Sequence, residues 1–134
     1  MKKSLVRLVW RRAGSVCEYC RMPQELDASP FQVDHIIAVK HGGQTNQENL
    51  ALCCLPCNLF KGPNIAGIDP QTLSVSRLFH PRIDAWGDHF RWEGARLFGL
   101  TPVGRATVEV LAINERGRMA IRKALIAEGR FAPR

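Results

Sequence analysis

Residues 33–62 read VDHIIAVKHGGQTNQENLALCCLPCNLFKG, and the order of elements in this stretch decides the fold. The slightly wider run 31–39, FQVDHIIAV, is rich in β-branched and aromatic residues and predicts a strand. Gly42 and Gly43 break it, and the polar QTNQEN reads as a loop. NLALCC is short and apolar, a return strand. LPCNLFK starts a short helix that Gly62 and Pro63 stop. The predicted order is strand, loop, strand, helix. Asp34 and His35 lie side by side on the first strand. Such a pair can be structural, or it can be a metal ligand beside a general base.

The cysteines bear on that choice. Cys17 and Cys20 form one Cys-x-x-Cys pair, Cys54 and Cys57 a second, with 33 residues between the pairs. Each pair offers two thiolates from one tight turn, and two such turns make the tetrahedral set of a structural zinc site. A closed four-thiolate site has no open position, so this metal holds the fold and does no chemistry. Two disulfides are the alternative, disfavoured in a reducing compartment. Cys53 breaks the two-residue spacing and reads as a small buried residue of the return strand. Because Cys57 directly precedes Asn58, zinc joining the two turns brings Asn58 toward the strand that carries Asp34 and His35. Asn49, where the loop closes, joins the same neighbourhood.

Outward from this stretch, residues 4–13 (SLVRLVWRRA) predict a helix with Leu5, Leu8 and Val9 on one face and Lys3, Arg7 and Arg11 on another. Gly14 ends it. Downstream, residues 73–79 alternate like a strand. Residues 89–100 read as a hairpin turning at Glu93-Gly94, with Trp86, Phe90 and Trp92 in its core. Thr101 and Pro102 open a helix. A last helix is expected over 115–128, with Ile121 and Leu125 inward and Arg118 and Arg122 outward. The 134 residues fit one compact domain, with a core over about 5–63 and an extension over about 64–134.

The formal charge is +7, unevenly spread: +5 over residues 1–23, −2 over 24–62 and +4 over 63–134. Basic flanks suit a polyanion such as nucleic acid, and an acidic middle suits a cation. No stretch is long and apolar enough to span a membrane. The basic, apolar N-terminus is interrupted by Arg7, Arg11 and Arg12 and lacks a small-residue cleavage site, so export is rejected and a cytoplasmic location expected.

With its bracketing cysteines, the stretch VDHIIAVKHGGQTNQENLALCCLPCNLFKG resembles the HNH endonuclease family in its zinc-bracketed form. Asp34-His35 match the family's Asp-His pair, Asn49 its middle Asn, and Asn58 its last position, which is often His; the chain is an H-N-N variant. The segments NIAGIDP, FHPR, HFRWEG and GLTPVGRATV also look like a bacterial group of small HNH proteins. The resemblance implies an α+β fold: a ββα-metal core stapled by four-cysteine zinc, with a small C-terminal β-hairpin and helices. It also implies a metal-dependent endonuclease that hydrolyses DNA and leaves a 5′-phosphate and a 3′-hydroxyl.

The residue chemistry agrees. His35, with a reference pKa near ~6.5, is the candidate general base. Its other ring nitrogen is expected to donate to a backbone carbonyl of the return strand. Asp34 and Asn58 supply oxygen ligands, which suit a catalytic Mg²⁺ or Mn²⁺. Asn49 is expected to tie the loop so that His35 stays aimed. Lys40, His41 and Lys61 are candidate phosphate contacts, or equally solvated loop residues. His80 and His89 lack ligand spacing and read as packing or surface residues. The basic face of the first helix and Arg116, Arg118, Arg122 and Lys123 could also meet phosphates. A non-catalytic, zinc-stabilised nucleic-acid-binding module is the competing reading, and a zinc scaffold for protein contacts a third. DNA is the expected partner with RNA open, no membrane is expected, and monomer and dimer are both open.

Overall fold

The computed structural model describes residues 1–133. The chain forms two compact units: Met1–Ile65 with His80–Asp84, and Ala66–Phe79 with the residues from Ala85 onward.

The first unit opens with helix α1, Lys3–Ala13. Gly14 ends it in the left-handed region (φ 62°), and Arg11 and Arg12 in the last turn suit the negative end of the helix dipole. Val9 is fully buried, whereas Lys3, Arg7 and Arg11 face solvent as their spacing predicts. Arg12 reaches across to donate to Leu50 O at 2.6 Å.

Strands β1 (Gln32–His35) and β2 (Leu50–Cys53) pair antiparallel, with Asp34 opposite Ala51 and His35 opposite Leu50. Helix α2, Leu55–Lys61, follows at once, with Cys54 as N-cap and Pro56 in the first turn, where its missing N–H costs nothing. The strand, strand, helix order is the ββα arrangement.

β1 is shorter than the expected 31–39. Ile36 N still bonds to Asn49 O, but at Ile37 the side chain of Asn49 takes over the ladder bonds. The backbone then turns into a short 3₁₀ segment at Val39–His41. β2 is buried at every position, and Leu50, Leu52, Val9, Phe31 and Ile36 form the core of this unit.

The second unit contains two hairpins. Strand β3, Ala66–Ile68, pairs with β4, Val75–Arg77; β3 was not expected from the sequence. A short helix α3, Trp86–His89, precedes β5 (Phe90–Glu93), which pairs with β6 (Arg96–Gly99). The two linking residues are Gly94 and Ala95, one position beyond the expected turn, because the left-handed conformation (φ 57°) falls on Gly94.

Helix α4, Pro102–Val110, is capped by Thr101, whose Oγ1 accepts from Gly104 N. Helix α5, Arg116–Ala127, is capped by the Glu115 carboxylate. Trp86 and Phe90 are buried with Leu97, Ala106, Leu111 and Ile113, as expected for a hairpin core.

Helix α5 corrects one expectation. Ile121 is 57% exposed and Arg122 only 2%. The Arg122 guanidinium donates to Ala95 O and Ile113 O, each at 2.8 Å, and lies over the Trp92 ring. These partners offset the desolvation penalty that would otherwise keep an arginine in solvent. Arg122 is therefore not available to phosphates. Arg118 is half-buried and donates to Leu111 O and Ala112 O.

Candidate metal and nuclease site

The first cysteine turn is built by the backbone. Cys17 N donates to Met22 O and Arg21 N to Cys17 O, both at 2.9 Å, with Arg21 in the left-handed region. Glu18 stitches this turn to β2: its N–H donates to Leu52 O, and its carboxylate accepts from Leu52 N. Arg82 closes an ion pair on the same carboxylate. The second pair comes from the end of β2 and the first turn of α2.

The four sulfurs of Cys17, Cys20, Cys54 and Cys57 lie within 4.8 Å of one another, and all four residues are buried. Cys20 Sγ and Cys54 Sγ are 3.6 Å apart. A tetrahedral zinc with Zn–S bonds near ~2.3 Å sets sulfurs about 3.8 Å apart, so the cluster fits the metal. No disulfide links the five cysteines. Burial pushes the Cys17 and Cys57 thiols well up, so thiolates here require a cation among them. Cys53 stands apart, buried on β2 with its thiol directed to Gln32 O.

Asp34 and His35 end β1. His35 Nδ1 lies 3.7 Å from Asp34 Oδ1, with the His side chain 19% and the Asp side chain 43% exposed. His35 Nε2 meets Thr45 Oγ1 at 2.8 Å. This differs from the expected bond to a carbonyl of β2. Strand β1 stops at His35, and the loop folds a hydroxyl back over the ring instead. Thr45 escaped the sequence reading because a threonine in a polar loop carries no spacing signal toward a histidine ten residues earlier.

Asn49 is buried and makes three side-chain hydrogen bonds to the loop. Its Oδ1 accepts from Ile37 N, and its Nδ2 donates to Ile37 O and Gln44 O, each at 2.9 Å. Gly43 belongs to this clasp: a Cβ there would lie 1.7 Å from Ile37 O and 2.8 Å from Asn49 Nδ2.

Asn58 is half-buried on α2, which packs against β1. Lys61, one turn further, is buried, and its Nζ donates to Ile36 O at 2.7 Å. Burial pulls its pKa down, and the nearby Asp34 charge partly opposes that. Lys40 and His41 are exposed on the 3₁₀ segment.

The two other histidines have local structural partners. His80 Nδ1 accepts from Arg82 N, and His89 Nδ1 meets Thr101 Oγ1 at 2.6 Å. Among the described residues, the four cysteines are the one group of three or more Cys, His, Asp or Glu able to share a metal. A site of one carboxylate and one amide oxygen falls outside that count. No helix among the described residues is long and apolar enough to cross a membrane.

Residues 17–64 match the family model described as HNH endonuclease. They span both cysteine pairs, Asp34, His35, Asn49 and Asn58. Neither the curated proteins nor the solved structures give a match to the chain.

Proposed function

We propose that this protein, whose residues 17–64 match the HNH endonuclease family model, is a metal-dependent endonuclease that hydrolyses DNA phosphodiester bonds. The observation that supports this reading is the approach of His35 to Asp34 at the end of β1, against the helix that bears Asn58. His35 accepts a proton from the attacking water. The Asp34 carboxylate and the Asn58 side-chain oxygen would hold Mg²⁺ or Mn²⁺, and Asn at position 58 would favour such oxygen-preferring ions over zinc. Bound there, the ion supplies Lewis-acid charge to the phosphate and the departing oxygen. Water adds to phosphorus as His35 takes its proton, the P–O3′ bond breaks, and the departing O3′ takes a proton from solvent, leaving a 5′-phosphate and a 3′-hydroxyl. Lys40 and His41 reach neighbouring phosphates from the exposed 3₁₀ segment. Lys61, held on the Ile36 carbonyl, supports the backbone just past β1. Zinc on the four cysteines keeps β2 and α2 in place and takes no part in chemistry.

The test is relaxation of supercoiled plasmid by the purified protein with Mg²⁺, Mn²⁺ or EDTA, wild type against His35→Ala. We expect metal-dependent open-circle or linear product from wild type. The variant should lose about 10²-fold or more in rate while keeping its zinc and its fold. A His35→Ala protein that cuts as fast as wild type would sink the role given to His35. Salt-sensitive DNA binding with no cleavage under any metal would point to the non-catalytic binding module.

A further inference from the structure

The two ring nitrogens of His35 have different neighbours. Nε2 meets the Thr45 hydroxyl at 2.8 Å, and Nδ1 faces Asp34 Oδ1 at 3.7 Å, beyond hydrogen-bond length. Thr45 does not hold this place by chance of a loose loop. The preceding residue, Gln44, is anchored through its carbonyl by Asn49 Nδ2, and Gly43 is wedged against Ile37 O. The same clasp that ends β1 therefore sets the hydroxyl over the ring.

A neutral imidazole carries its proton on one nitrogen only. With the proton on Nε2, the ring donates to Thr45 Oγ1 and leaves the Nδ1 lone pair on the Asp34 side. With the proton on Nδ1, the N–H points at the carboxylate from too far to bond. It also points at any cation that carboxylate holds, which repels an N–H dipole and attracts a lone pair. Thr45 is exposed, so its own hydroxyl proton can turn to water while its oxygen accepts.

We propose that Thr45 is a positioning residue: its hydroxyl oxygen accepts from His35 Nε2–H and so keeps Nδ1 as the proton-accepting nitrogen on the Asp34 side. The proposal rests on the nuclease reading for the base and for the cation at Asp34.

The experiment reads the ring directly. ¹⁵N chemical shifts of the neutral His35 ring are recorded in the zinc-loaded protein with added Mg²⁺, for wild type, Thr45→Val and Thr45→Ser. Plasmid-relaxation kcat and KM are measured on the same samples, and zinc content checks that each is folded. We expect the wild-type proton on Nε2. Thr45→Val should spread it over both nitrogens and lower kcat about 10- to 100-fold with KM little changed. Thr45→Ser should restore both readouts. A wild-type proton on Nδ1 overturns the proposal, as does a valine variant with the wild-type tautomer, or one whose tautomer shifts with no change in a metal-dependent kcat. If no form cuts under any metal but the ring signals behave as expected, the nuclease reading falls and the hold of Thr45 on His35 stands. If wild type cuts, His35→Ala does not, and Thr45→Val matches wild type, the nuclease reading stands and the role of Thr45 falls.

Discussion

Asn49 makes three hydrogen bonds with one side chain, and they do the work of a strand extension. Ile37 N, Ile37 O and Gln44 O all pair with it. Three of the four hydrogen-bonding positions of this amide are taken by the backbone, so the side chain positions its neighbours. Asn49→Ala leaves all three backbone groups to find other partners. At about 1 kcal/mol each, the protein should lose roughly 2–4 kcal/mol, read by urea denaturation of the zinc-loaded form. Asn49→Asp keeps the acceptor for Ile37 N but sets a carboxylate against two carbonyl oxygens, so it should also destabilise. Either variant should also slow the proposed cleavage, because His35 and Thr45 sit at the two ends of the loop that Asn49 clasps. An Asn49→Ala protein of wild-type stability would show that water replaces the side chain without cost.

At the scale of elements, α2 and α5 show how far pattern reading reaches. Helix α2 follows its signals closely: Pro56 in the first turn, Gly62 past the end, and Cys57 turned inward. Helix α5 does not, since its buried face carries Arg122 together with Leu125. An amphipathic reading sends every arginine to solvent, yet here two backbone carbonyls and the Trp92 ring receive the guanidinium. Arg122→Met keeps much of the volume but removes the donors to Ala95 O and Ile113 O. The expected loss is roughly 2–4 kcal/mol, measurable by thermal or chemical denaturation. Arg122→Lys should recover only part of this, since one ammonium lacks the planar fork that serves two carbonyls at once. If Arg122→Met were as stable as wild type, apolar packing would be replacing those bonds in full.

At the scale of the whole molecule, the chain is small and its apolar residues serve two units, so neither has a large core. In the first unit the four cysteines compensate. A structural zinc can contribute on the order of 10–16 kcal/mol of apparent folding free energy, more than a core of this size supplies. Removing it with a strong chelator should therefore unfold the elements it joins. Hydrogen exchange gives the sharpest readout: the amides of Cys17, Leu52 and Asn58, bonded to Met22 O, the Glu18 carboxylate and Cys54 O, should lose protection together. Protection that survives full removal of zinc would mean that the apolar core alone holds the first unit. Re-adding zinc should restore protection, and Mg²⁺ should not, because a hard cation is a poor match for four thiolates.

The parts legible in the sequence are those written in spacing. Two Cys-x-x-Cys pairs, an Asp-His pair on an apolar run, a Gly-Gly break and a proline-started helix predict a four-cysteine cluster and the strand, strand, helix order, and the structure contains both. Spacing survives in a sequence because neighbours along the chain stay neighbours in the fold. What only the tertiary structure decided is where the single polar atoms go: Thr45 to His35, Asn49 to Ile37 and Gln44, Lys61 to Ile36, Arg122 to Ala95 and Ile113. Most of these partners are backbone groups. Every residue carries a carbonyl, so a carbonyl that matters leaves no mark in the sequence. Its importance arises only when a strand stops or a helix turns and leaves it without its regular partner.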